Sequence, residues 1–420
     1  MHRAFYCLFF FFLFFSYASS QTTNYREFTR VLCADSMHGR GYVNNGDKLA
    51  SAYLAKKFEA NKLKPVFENY FQYFPLSVNT FPDSCNVEID GQFLAQGVDF
   101  IVSPESGSAN GSYSVKEVSK KEILGIHSIH QFSKLAKGTI LLIRKSEYST
   151  EEYKQIQELF PDILKIVPII ELVDEKFTWS VSRRESSKAH ILIQESSCDF
   201  KKNQNIRLSI HNKFFANYVS QNVVGLLPST RKSAKTVMIT AHYDHLGRMG
   251  NNCLFPGAND NASGNAMLLS IMENLVKKKK RKHNYVFVCF GGEEAGLIGS
   301  AYLSRHLPIP KNQISFLLNL DIFGSGEEGI TVVNATLFEK EFKQLERLNK
   351  RKKAVGKIKK RGPAANSDHY FFTQMGIPSF FIYTEGPNKN YHDVFDTFEN
   401  LSFAKFNELS SLLTKFVEKL

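Results

Sequence analysis

The sequence predicts an α/β protein with a mixed, mostly parallel central sheet flanked by helices, and a β-rich inserted domain. Three observations carry this reading. From Asn222 onward, short and nearly continuous apolar runs alternate with longer amphipathic ones, the texture of strands covered on both faces. Earlier, from about Phe67, short alternating runs are broken by Pro, Gly, Asn and Ser, which suits separate β structure. Acids and histidines at 242, 293, 294, 321 and 392 then fall after expected strands, and another acid, at 260, lies in a Gly-rich loop before a helix, the edge where open α/β sheets place their sites.

Taken in order, His2 and Arg3 precede an apolar run over 5–15 and small residues up to Gln21. That pattern predicts a secretory leader over 1–20, cut near Ser20, and an exported protein, periplasmic or extracellular. The run is too short for a spanning helix, which needs roughly 20 apolar residues. Residues 21–79 open the main domain, with an amphipathic helix over 47–63 that ends before Pro65. The inserted domain is expected over 80–212, with strands at 138–145, 165–173 and 189–195 and a helical segment at 150–160. Residues 213–420 complete the main domain. Its strands are expected at 236–240, 285–290, 314–320 and 378–383, and its helices at 262–276 and 295–306.

The net charge of +12 suits an acidic surface or nucleic acid, yet much of it lies in two runs, 277–282 and 350–361. The first sits where a helix end precedes a strand, and cations there complement the helix dipole. The second contains Gly356 and few aromatic residues on which bases could stack. No nucleic-acid partner is expected, and no stable membrane anchor once the leader is cut. Cys33, Cys85, Cys198, Cys253 and Cys289 show no CxxC pair, so neither a disulfide framework nor a cysteine zinc site is indicated.

The chemistry lies in His242 and Asp244 (TAHYDHLG), Asp260 (PGANDNASG), Glu293 and Glu294 (FGGEEAGLIGS), Asp321 (NLDIFG), Asp368 (NSDHYFF) and His392 (YHDVFDT). Each alone has an ordinary structural reading: a satisfied histidine, a helix N-cap, a solvated acidic face. Together they are harder to dismiss. Glu293 and Glu294 are bracketed by an apolar strand and by AGLIG, a poor place for two unpaired charges. His242, Asp260, Glu294, Asp321 and His392 supply two histidines and three carboxylates. That is too many for one tetrahedral zinc and suits two zincs sharing a carboxylate, with Glu293 left as a general base. The set reads as a metal-dependent hydrolase.

These segments also resemble the signature segments of the co-catalytic double-zinc aminopeptidases, the bacterial secreted type especially. The likeness extends to HGRGYVNNGDKLASAYLAKKFEANKLKP at 38–65 and covers 38–65 and 222–420. It is weak over 80–212, which loosely resembles the protease-associated insert of some relatives. The resemblance implies two zinc ions per chain bridged by Asp260, with His242 and Asp321 completing one site and Glu294 and His392 the other. Glu293 would be the base, Asp244 would hold the other ring N–H of His242, and Asp396 would give similar support near His392. Peptides with a free N-terminus are the implied substrates, with Tyr383, Tyr391, Phe371 and Asp368 as candidate pocket residues. Asn259 and Asn261 flank Asp260 where many relatives are more acidic. The sequon Asn261-Ala262-Ser263 adjoins Asp260, so Asn261 is expected to be unmodified. Two rivals are a glutaminyl cyclase, which uses one zinc on a related fold, and a binding protein on a dead peptidase scaffold. The intact ligand set and base argue against both.

Overall fold

The computed structural model describes residues 24–124, 129–198, 200 and 205–420; the expected leader at 1–20 lies outside them. The main domain is built on a nine-stranded mixed sheet. Its strands are β1 (Lys64–Pro65), β2 (Phe71–Thr80), β3 (Lys213–Leu227), β4 (Thr236–His242), β5 (Asn284–Phe290), β6 (Ile314–Leu320), β7 (Gly329–Val333), β8 (Ile358–Lys360) and β9 (Ser379–Glu385). They lie in the order β1-β3-β5-β4-β6-β9-β7-β8, with β2 paired along β3. At the centre, β4 is parallel to β5 and β6, and β6 is parallel to β9; β3 and β7 run antiparallel to their neighbours β5 and β9.

The central strands β4, β5, β6 and β9 are largely apolar because both faces are covered. Along β4, Val237, Ile239 and Ala241 enter one core while Met238 enters the other; along β5, Tyr285, Phe287 and Cys289 alternate with Val286, Val288 and Phe290 in the same way. The first core is closed by helices α1 (Tyr25–Leu32), α2 (Gly46–Ala60), α3 (Gly264–Val276), α5 (Glu339–Lys352) and α7 (Phe406–Lys419). The second is closed by α4 (Ile298–Arg305) and α6 (Tyr370–Gln374). Helix α2 stops before the expected end, where the Asn61 amide donates back to the Lys57 carbonyl at 3.0 Å. Helices α1, α5 and α7 and strand β7 were not expected from the sequence. Among the described residues no helix is long and apolar enough to cross a membrane, and Cys33, Cys85, Cys198, Cys253 and Cys289 are free thiols.

Strands β2 and β3 pair as a long antiparallel ribbon that leads into and out of a second, eight-stranded sheet. That sheet takes all its strands from the stretch between Cys85–Ile89 and Asn205–Ile210, and one face is covered by the helix Thr150–Ile163. The other face packs on Met249, Cys253 and Phe255, from a hairpin of the main domain. The two units therefore share a core.

A buried cation ties the chain's front segment to the loops beneath the sheet's carboxyl edge. Arg40 is fully buried and donates to five main-chain carbonyls: Tyr243 (2.7 Å), Leu32 (3.0 Å), Pro256 (2.7 Å), Gly257 (2.7 Å) and Asp260 (3.3 Å). Its planar fork supplies a donor to each of these buried acceptors. Replacing it with Met should strand these carbonyls and cost more than about 3 kcal/mol, measured by denaturant unfolding. An unchanged midpoint would show that the loops satisfy themselves without it.

Candidate active site

Because β4, β5, β6 and β9 are parallel, their carboxyl ends lie together, and the acids and histidines of the sequence motifs converge there. His242 is the last residue of β4, Glu293 and Glu294 follow β5 after two glycines, Asp321 directly follows β6, and His392 lies in the loop after β9. Asp260 sits in a distorted turn that leads into α3, and its peptide bond to Asn261 is cis. Gly257 has φ 57°, and a Cβ there would lie 2.3 Å from both the Asp260 carbonyl oxygen and the His245 ring. Gly264 has an ordinary helical φ of −67°. Gly264 is needed for closeness, since a Cβ there would fall 2.0 Å from Asn261 Oδ1.

Asp260 stands between the two histidines. Its Oδ1 is 3.3 Å from His242 Nε2 and its Oδ2 is 3.1 Å from His392 Nε2. Each histidine meets one further carboxylate: Asp321 Oδ1 lies 3.4 Å from His242 Nε2, and Glu294 Oε2 lies 3.1 Å from His392 Nε2. Both rings donate Nδ1–H to a main-chain carbonyl, His242 to Asp244 (3.2 Å) and His392 to Trp179 (2.9 Å), which turns Nε2 toward the acids.

The support around this set differs from the sequence expectation. Asp244 holds His242 through its carbonyl; its carboxylate is 3.9 Å from the ring and instead accepts the N–H groups of Glu293 (3.2 Å) and Glu294 (3.3 Å). Asp396 accepts from the N–H groups of Asn259 (2.8 Å) and Asp260 (3.0 Å), so it shapes the Asp260 turn and does not hold His392. The flanking amides are structural too. Asn259 Oδ1 accepts from Gly324 N at 2.9 Å, and Asn261 Oδ1 accepts from Gly264 N (2.9 Å) and Ile322 N (3.2 Å). Asn261 is fully buried, which leaves no room for a glycan. Ile322 has φ 57°, a costly conformation for a β-branched residue, held by Asn261 and by Thr384, which donates to its carbonyl (3.0 and 2.7 Å). That strained turn aims Asp321.

Three contributors were not expected from the sequence. His245, buried, donates Nδ1–H to Glu294 Oε1 at 2.8 Å; it lay in view within HYDHLG, three residues after His242. Trp179 and Lys176 come from the second unit. Trp179 accepts from His392 Nδ1, donates its own N–H to the His392 carbonyl (2.9 Å), and stacks on Phe255 at 4.6 Å. Lys176 pairs with Asp393, whose carboxylate also accepts from Tyr391 N and Phe395 N. His392 itself has φ 52°. Of the candidate pocket residues, Tyr391 is stacked on His392 at 4.0 Å and is half-exposed, and Asp368 is buried among the acids. Tyr383 bonds Arg361 and Phe371 packs on Tyr370; no described contact joins either to the acids.

The electrostatics are those of crowded acids. Burial and neighbouring carboxylates push Glu293 well up, and burial pushes Asp244 and Asp368 up to about 7. Burial also opposes charge on Asp260 and Glu294, but hydrogen bonds from His242 and His392 hold Asp260 well below the usual range. His392 and His245 hold Glu294 at about 2. Burial disfavours a charged His392, yet Glu294 and Asp260 push it up to about 11. The donor set fits divalent metal. The His242, Asp260 and Glu294 ligand atoms lie within 4.8 Å of one another, both Asp368 oxygens lack a hydrogen-bond donor, and Asp321 Oδ1 has only its His242 contact.

Known proteins resemble this chain in sequence and in fold. Residues 222–417 match Peptidase family M28. The aminopeptidase YwaD of Bacillus subtilis strain 168 is 30% identical over 218 residues, 49% of this chain and 46% of that protein. A probable leucine aminopeptidase of Arthroderma otae is 30% identical over 202 residues, 45% of this chain and 55% of that protein. The match thus spans about half the length of these curated relatives. Among solved structures, the zinc aminopeptidase BSAP from Bacillus subtilis superposes with a TM-score of 0.69 at 20% identity, covering 94% of each chain. A peptidase M28 precursor from Shewanella amazonensis superposes at 0.67 with 13% identity, covering 95% of this chain and 93% of the other. These two likenesses describe the fold, which extends through both sheets. The likeness to Peptidase family M28 is carried by residues 222–417, just under half of the chain.

Proposed function

We propose that this chain is an exported zinc aminopeptidase that removes residues from the free N-termini of peptides. The observation that carries the reading is Asp260, with one carboxylate oxygen turned to each of two histidines that each face a carboxylate of their own. His242, Asp321 and Asp260 would hold one zinc, and His392, Glu294 and Asp260 the other. Bound zinc supplies Lewis acidity to the scissile carbonyl and acidifies the attacking water. Glu293, fixed through its N–H by Asp244, takes the proton from that water and returns it to the leaving amine. His245 holds Glu294 from behind, and Asp396 fixes the turn that presents Asp260. Tyr391 and Asp368 would line the site, Tyr391 at its open side. The names of the relatives support the substrate class, and the 1–20 pattern supports export.

Glu293→Gln is the direct test. Zinc should stay bound while hydrolysis of aminoacyl-nitroanilides falls by about 10²–10⁴-fold, the usual worth of a positioned acid–base group. Undiminished turnover would remove Glu293 from the mechanism. Pyroglutamate formation by the native protein with one zinc per chain would instead favour acyl transfer.

The second unit enters this chemistry through His392. Lys176→Ala leaves the buried Asp393 carboxylate without its cation and loosens the loop that carries His392. Zinc retention against a competing chelator should weaken by roughly 10–100-fold, as for other partners that orient a metal ligand, and Lys176→Arg should restore it. Equal retention in all three proteins would mean that His392 needs no brace.

A further inference from the structure

The net charge of +12 is distributed unevenly. Residues 80–212 hold sixteen basic and eighteen acidic residues, so the surplus belongs to the main domain. Much of it gathers at the edge of the sheet opposite the active site, where β4, β5 and β6 begin. Arg231, Lys232 and Lys235 lie in the loop before β4, the 277–282 run before β5, and Lys311 before β6, with Arg305 at the end of α4. These loops touch. Ser229 Oγ and Thr230 N donate to the Arg281 carbonyl at 2.8 and 3.2 Å, and Lys235 Nζ donates to the Asn312 carbonyl at 2.6 Å. Apart from Arg281, the basic residues of this edge are exposed. Among the described residues none of Arg231, Lys232, Lys235, Lys279, Lys280 and Lys311 pairs with a carboxylate. A helix end needs one or two cations to complement its dipole; three adjacent loops of them exceed that.

We infer that this edge is a docking surface for an anionic phospholipid bilayer, holding the enzyme peripherally with its active site facing away. Seven-residue strands put roughly 20 Å between the basic edge and the catalytic one, so a bound surface leaves the site open to peptides. The chemistry of the edge favours lipid headgroups over nucleic acid. It is rich in lysine, a compact point charge, and its loops contain no Phe, Tyr or Trp on which bases could stack. Between Arg305 and Lys311 lie Leu307, Pro308 and Ile309, each half-buried, an apolar fringe framed by cations that suits the boundary between headgroups and chains. The binding is reversible and electrostatic, and it needs no spanning helix. It stands independently of the peptidase reading, because vesicle binding is measured without turnover.

The test uses the full chain with vesicles of phosphatidylcholine alone or mixed with phosphatidylglycerol, separated by sedimentation. The native protein should bind only the mixed vesicles, and release as salt shortens the Debye length from about 10 Å at 0.1 M toward about 3 Å at 1 M. Replacing Arg231, Lys232, Lys279 and Lys280 together with Ala should weaken vesicle binding by several hundred-fold, taking roughly fivefold per cation at an anionic surface. Thermal midpoint and hydrolysis of a soluble peptide should not change. Failure of the native protein to bind the mixed vesicles, equal binding by the variant, or salt-insensitive binding to phosphatidylcholine alone would each overturn the inference. Tighter binding to DNA than to vesicles at the same salt would replace the bilayer with nucleic acid.

Discussion

Burying six carboxylates at one edge of a sheet is the constraint around which the structure is arranged. Asp244, Asp260, Glu293, Glu294, Asp321 and Asp368 are brought together with three histidines, His242, His245 and His392, facing them. A group of like charges out of water is tolerable only if donors and cations answer it. Main-chain N–H groups answer Asp244 and Asp396, the Arg40 guanidinium lies behind the Asp260 turn, and His245 answers Glu294. What remains unanswered faces the middle of the cluster, where a divalent ion would sit.

The same constraint explains why the backbone is strained where it is. Ile322 and His392 adopt left-handed conformations that non-glycine residues avoid, each beside a proposed ligand. Each is held by hydrogen bonds from another part of the chain: Asn261 and Thr384 for Ile322, Trp179 for His392. The two-way bond between Trp179 and His392, with Lys176 on Asp393, makes the second unit part of the site's frame. The hairpin that lends Met249, Cys253 and Phe255 to that unit's core fixes the relation between the two.

The central strands and the acids beyond them were legible because both obey local rules. A strand covered on both faces is mostly apolar, as in YVFVCF, and a charged pair such as Glu293-Glu294 soon after it needs a reason. The edge of the fold was less legible. Helix α5 reads as a run of charges, since only Phe342, Leu345 and Leu348 are buried, and strand β7 carries no motif. The supporting bonds were hidden for a different reason. Asp244 holds His242 with its carbonyl, Trp179 holds His392 with its carbonyl, and Arg40 binds five carbonyls; a main-chain acceptor has no residue type to read. Long-range partners such as Trp179 and His392, 213 positions apart, become visible only when the chain is folded.

Metal stoichiometry bears most directly on this account. Elemental analysis of the purified native chain should find close to two zinc ions per molecule, and stripping them should lower the thermal midpoint as the buried acids lose their counter-charge. A folded chain that holds no zinc, and whose midpoint does not move on treatment with a strong chelator, would contradict it.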